Sequence, residues 1–186
     1  MSNNINKRNP GYIVLIAAIA STGGLLFGFD TGVISGALPF LKQYFQMESG
    51  EQEWITTAAL IGAVLGAVSS GRITDIFGRK KVIIVTSLIF APGAILTGAA
   101  STPVFLSIAR IILGIAIGVS SFAVPLYIAE ISPTKTRGAM VSSFQLMITI
   151  GIVVSYFSDL AFADDTNPES WRWMFYVEVF PAIILL

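Results

Sequence analysis

Asp30, Arg110 and Gln145 stand inside long apolar runs, where an ionised or amide side chain has few reasons to be. Asp30 sits in Phe27-Gly-Phe-Asp-Thr-Gly-Val33. Arg110 opens Arg-Ile-Ile-Leu-Gly114-Ile-Ala-Ile-Gly118, so the charge and two side-chain-free positions fall on one helical stripe at i, i+4 and i+8. A charge within a hydrocarbon-length helix costs several kcal/mol unless it faces protein or water, which makes each one a functional-site candidate. Asp30 lies eight residues before Leu38, and Arg110 seven after Pro103, at what the loop order makes the same end of their runs. At ~1.5 Å per residue both are roughly 10–12 Å below that surface. Opposite charges at matching depth in one bundle are expected to meet. Two readings of the pair are open. It is a permanent salt bridge joining two helices, or a carboxylate whose protonation depends on whether the arginine is near.

Gln145 is eight residues past Arg137, and Thr149, Ile152 and Tyr156 continue its face. An uncharged amide carries donors and an acceptor, which suits a hydroxyl-rich neutral ligand. An interhelical hydrogen bond is the alternative from spacing alone.

The elements that hold these residues are read from composition. Of 186 residues, 54% are apolar and 12% charged, and the mean hydropathy is +0.79. A soluble domain carries about twice that charge, so the chain is a polytopic membrane protein. There is no histidine and no cysteine. Disulfides, thiol nucleophiles, imidazole bases and the usual zinc sets are excluded. With no paired-carboxylate site inside the membrane, an enzyme has little to work with. The polar start, Met1 to Pro10, lacks a small-residue cleavage pattern and reads as a tail rather than a removable signal.

Hydrophobic spans are expected at about 12–38, 54–73, 82–100, 104–129, 139–163 and 173–186. Two carry small-residue stripes suited to close helix approach: Gly24, Gly28, Gly32 and Gly36, then Ala58, Gly62, Gly66 and Ser70. Trp54, Trp171 and Trp173 fall at span ends, where amphipathic rings favour headgroups. Alternating the loops puts Lys7, Arg8, Arg72, Arg79, Lys80, Lys81, Lys135 and Arg137 on one side. Lys42 and Arg172 stand on the other, beside most of the acids. Positive-inside sorting then places the N-terminus and the 2–3 and 4–5 loops in the cytoplasm.

Several multi-residue motifs agree in order and spacing with one family. Gly71 to Lys81 resembles the loop between helices two and three of the major facilitator superfamily. The Arg110–Gly138 pattern, with Pro125, Tyr127 and Glu130, resembles the sugar-porter subgroup, as does Phe27 to Gly36. Ser143 to Ile152, Ser158-Asp159 and Trp171-Arg-Trp-Met174 are most similar to bacterial galactose–, arabinose– and xylose–proton symporters. The resemblance implies an all-α membrane fold: the N-terminal six-helix bundle of a major facilitator, a 3+3 inverted repeat, its sixth helix cut short and the C-terminal half absent. It implies proton-coupled transport of a neutral hexose or pentose by alternating access across the inner membrane. Asp30 would carry the proton, with Arg110 as partner. Gln145 and Phe27 would meet the sugar. Arg79, Glu130 and Arg137 would form a cytoplasmic charge network, and Asp75 would face a helix N-terminus of the other half. The proton is the coupling ion, and no cofactor or metal is called for. The expected partners are a monosaccharide, the bilayer and the missing half, with no nucleic acid. A facilitative uniporter, a sugar sensor, or a truncated product inactive alone are the alternatives.

Overall fold

A computed structural model describes residues 10–164 and 166–186. Lys7 and Arg8, used above for the charge sorting, lie outside the described residues. The chain forms α1 (Pro10–Phe45), α2 (Ser49–Phe77), α3 (Arg79–Gly98), α4 (Pro103–Ile131), α5 (Arg137–Phe162), α6 (Trp171–Tyr176) and α7 (Val179–Leu185). The first five are long and apolar enough to cross a membrane.

The helices outrun the apolar windows read from sequence. α1 has 36 residues and continues through Leu41 to Phe45, because Ala37, Leu41 and Met47 stay buried. α2 starts at Ser49 because Glu48 and Glu51 form a capping box, satisfying two of the N–H groups a helix start leaves unpaired. The whole connection from α2 to α3 is Gly78, at φ +84°, a left-handed turn open to glycine. α4 starts on Pro103, with the Thr102 hydroxyl accepting from the Phe105 N–H at 3.2 Å.

The expected sixth span is two helices. Pro181 has no N–H to give the Val177 carbonyl, and the Phe180 N–H takes that carbonyl instead at 3.0 Å. The Glu178 N–H likewise bonds Phe175 at 3.1 Å. The backbone tightens over these residues and turns Glu178 inward, where it is fully buried.

Two helix pairs carry the packing, α2 with α4 and α1 with α5. A Cβ on Gly62 or Gly66 would run into the α4 backbone at Ile111 and Ile115. One on Gly114 or Gly118 would strike the α2 backbone at Ala59 and Ala63. The α1–α5 seam repeats this, with Gly24 and Gly28 against Phe144 and Ile148, and Gly151 against Leu25. Helices this close gain dispersion contacts along their length, the main attraction available between helices in lipid. Exchanging helices one, two and three for four, five and six maps one pair onto the other, as a 3+3 repeat requires.

Outward faces are left apolar: Val68 on α2 is 82% exposed and Leu160 on α5 75%. Such faces suit lipid or another helical bundle and not water.

Candidate functional site

Asp30 is held in mid-α1 and Arg110 about one-quarter along α4, and the two side chains meet. The Arg110 Nη1 donates to Asp30 Oδ1 at 2.7 Å, with both side chains 3% exposed or less. At that burial the charges are removed from water, and only their contact and further hydrogen bonds offset the loss. The guanidinium carbon also lies 5.9 Å from the Phe175 ring centroid. The Arg110 Nε has no partner among the described residues.

A third ionisable side chain belongs to this cluster. Glu178 is fully buried, neither carboxylate oxygen has a hydrogen-bond partner among the described residues, and it feels both Asp30 and Arg110 electrostatically. The sequence reading does not pick it out. The signal is there, since Glu178 is the only acid in the last apolar run, between Val177 and Val179. The turn that aims it inward depends on Pro181, which a helical reading of the run overlooks.

Arg172 holds α6 in place over the cluster. Its Nη1 donates to the Gly98 and Ala100 carbonyls at 2.8 and 2.9 Å, capping the end of α3. Its Nη2 donates to the Tyr44 hydroxyl at 3.1 Å, and its guanidinium lies 4.6 Å from the Trp171 ring centroid. Trp171 in turn meets Phe175 edge-on at 6.2 Å. The end of the bundle carrying Tyr44 and Trp171 is called the aromatic end below.

At the opposite, basic end, Arg79 bridges two helices. It lies 3.2 Å from Asp75, one turn back on α2, and its Nε is 3.0 Å from Glu130 on α4. The second contact is an attraction of charges and not an aligned hydrogen bond. Arg79, Lys80 and Lys81 begin α3, an unfavourable place for cations, and the two acids offset part of that field. Arg137 stands apart from this pair. Its Nη2 donates to the Ser132 carbonyl at 3.4 Å, and no carboxylate of the described residues lies within ion-pair distance. Asp75 is 71% exposed and Arg79 is its ion-pair partner.

Gln145 is exposed on α5, one residue past Phe144, and Phe27 is half-buried one residue before Gly28. Both therefore flank the α1–α5 seam. No group of histidine, cysteine and acidic residues able to hold a metal occurs among the described residues.

Comparison with known proteins decides the lineage. A family model described as "Sugar (and other) transporter" matches residues 16–186. The chain belongs to this sugar transporter family. It is 45% identical over 181 residues to the galactose-proton symporter of Escherichia coli K12, covering 97% of the chain and 38% of that protein. With the arabinose-proton symporter of the same strain it shares 39% identity over 173 residues, 93% of the chain and 36% of the relative. Among solved structures, the inward-open xylose transporter XylE from E. coli superposes with a TM-score of 0.86 at 31% identity, over 94% of the chain and 47% of that protein. The fold is the N-terminal half of a major facilitator, and the chain spans well under half the length of these curated relatives. The sugar transporter family is one of carriers and not of enzymes, which agrees with the composition.

Proposed function

We propose that these residues form the N-terminal six-helix half of an inner-membrane sugar–proton symporter that moves a neutral monosaccharide by alternating access. The buried Asp30–Arg110 pair carries this reading. Ionised, Asp30 holds Arg110. Protonated, it releases a guanidinium that has a free Nε and a second buried carboxylate, Glu178, within its field. Arg110 thus has two acidic partners, one on α1 and one in the turn between α6 and α7, and the proton on Asp30 selects between them. That gives the bundle a two-state element which both proton and helix position bias. A proton falling through 100 mV supplies ~2.3 kcal/mol, which sustains about 50-fold sugar accumulation.

In this reading the basic end faces the cytoplasm. Arg79, Asp75 and Glu130 tie α2, α3 and α4 there and form the inner network, with Arg137 held on the Ser132 carbonyl beside it. A second six-helix half supplies the opposing wall, and Gln145 and Phe27 meet the sugar from this side. Names of the relatives support a monosaccharide as substrate.

The test is sugar-driven pH change in unbuffered vesicles holding the full-length protein, beside Asp30→Asn. Alkalinisation on adding a sugar, lost in Asp30→Asn while sugar exchange persists, is the expected result. Sugar entry without proton movement would make the protein a uniporter and Asp30 a structural partner of Arg110.

A further inference from the structure

The α1–α5 seam changes character along its length. At Gly24 and Gly28 a Cβ would meet the α5 backbone, at the Phe144 and Ile148 carbonyls. At Gly32 it would meet the Ser155 hydroxyl first and the Ile152 carbonyl behind it. At Gly36 the nearest atoms all belong to the Asp159 side chain. Backbone contact thus gives way to side-chain filling toward the aromatic end. Nearer the basic end a hydroxyl pair also joins the helices, Ser21 to Ser143 at 2.7 Å. The seam is fastened there, and at its other end it is closed by a carboxyl group.

Nothing holds that carboxyl group in ionised form. Asp159 is 6% exposed, and neither oxygen has a hydrogen-bond partner among the described residues. None of the ion pairs among them includes it. On α1, Asp30 and Lys42 are each six residues from Gly36, about 120° round the helix from its face. On α5, the phenol of Tyr156 is one turn back and exposed, and beyond the helix Asp164 is taken by Thr166. Around α6, Arg172 is spent on the Gly98 and Ala100 carbonyls and on Tyr44, and Glu169 on Tyr44 and Arg172. Glu178 belongs to the Asp30–Arg110 cluster. An ionised Asp159 would give up its water for no donor, at a cost of several kcal/mol, and a carboxylic acid gives up far less. The packing fits the neutral acid.

Water is close by. An open groove of about 350 Å³ lies against Asp159, walled by Phe40 of α1, Tyr156 and Leu160 of α5 and Met174 of α6. The carboxyl oxygens are sealed from it in this packing. Turning the side chain into the groove would hydrate them and vacate the space beside Gly36.

We propose that Asp159 is a proton-operated latch on the α1–α5 seam. As the acid it closes the aromatic end. On ionisation its proton passes to water in the groove, the carboxylate swings out after it, and water enters between the helices. The latch is a property of this helix pair and does not depend on the transport reading above.

The experiment uses the full-length protein in mixed micelles, with any cysteine beyond these residues replaced; these residues bring none. Ser155→Cys puts a thiol at a fully buried point of the seam, against Gly32. Ser35→Cys puts one on the exposed wall of the groove, as the reference. Each is labelled with a water-soluble thiol reagent from about pH 5 to about pH 9, and the ratio of the two rates corrects for titration of the thiol itself. The Ser155→Cys rate relative to Ser35→Cys is expected to rise about tenfold or more as the ionised fraction of Asp159 grows. With Asp159→Asn added it is expected to stay low and level. A level ratio with Asp159 in place overturns the latch, whether or not the asparagine variant folds. A rise that survives Asp159→Asn overturns it too, since another group would then open the seam.

Discussion

Removing one member of the Asp30–Arg110 pair should cost far more than removing both. The pair is 2.7 Å apart at its closest atoms, and both side chains are 3% exposed or less. Taking the charge centres about 4 Å apart and an effective dielectric near 20, their attraction is ~4 kcal/mol. Arg110→Gln leaves the Asp30 carboxylate buried with no cation beside it and should destabilise by about 3–5 kcal/mol. Asp30→Asn is milder, because Glu178 remains as a counter-charge for the guanidinium. The double variant Asp30→Asn/Arg110→Gln replaces an ion pair by two amides able to hydrogen-bond each other. It should recover about 2 kcal/mol or more of the summed single losses. Equilibrium unfolding of the full-length protein in mixed micelles gives all four corners of the cycle. Additive losses would refute the account and show that the two charges are stabilised by separate surroundings. A Glu178→Gln variant of the same set should make Asp30→Asn costlier, since it removes the acid that compensates.

Gly118→Leu forces a side chain into the Ala63 backbone and should destabilise by about 3 kcal/mol or prevent folding, read as loss of the monodisperse peak. Gly50→Ala, with open space around it, should stay within about 0.5 kcal/mol. Arg172→Gln loses two helix-end carbonyl contacts and the Trp171 stack. It should cost about 2 kcal/mol, and Arg172→Lys should recover only part, because an ammonium cannot reach both carbonyls and stack. In the loop after α5, the Thr166 hydroxyl and N–H hold the Asp164 carboxyl below its ordinary value, the side-chain bond contributing most. Its contribution is therefore complete above the ordinary aspartate range and fades only as pH falls through the lowered value. Asp164→Asn should leave the pH profile of transport near neutrality unaltered.

Much of the arrangement is legible from residue types because the bilayer leaves few choices. A charge in an apolar run needs a partner, and helical rise sets depth, so matching Asp30 with Arg110 takes only counting from Leu38 and Pro103. Glycines at every fourth position announce close helix faces, and the Gly28–Ile148 and Gly114–Ala59 approaches are those faces. Counting also has a limit. It predicts depth and says little about azimuth around the bundle. Asp159 sits about one turn from the end of an apolar span and reads from sequence as an interfacial acid. Only the approach of α1 at Gly36 turns it into a buried one. Arg137 reads as part of the inner network, yet it is spent on the Ser132 carbonyl, because the turn after α4 brings that group nearer than Glu130.

Glu178 shows the other limit, where backbone chemistry outranks pattern. A helical wheel drawn over residues 171–186 assumes a constant 3.6 residues per turn. Pro181 breaks that assumption by withholding the donor for Val177, and the Phe180 and Glu178 N–H groups close shorter rings instead. The side-chain directions after Tyr176 are then offset from those before it. The consequence is that one short segment, anchored by Arg172 at its start and bent by Pro181 before its end, delivers both the Phe175 ring and the Glu178 carboxylate to the Asp30–Arg110 pair. Pro181→Ala separates the two causes. It restores the missing donor, so α6 and α7 should fuse into one helix. If the turn is what aims Glu178, the loss from Arg110→Gln should then shrink by about 1 kcal/mol or more, as the acid withdraws from Asp30. An unchanged loss would show that packing around Phe175, and not the proline, sets the direction of the acid.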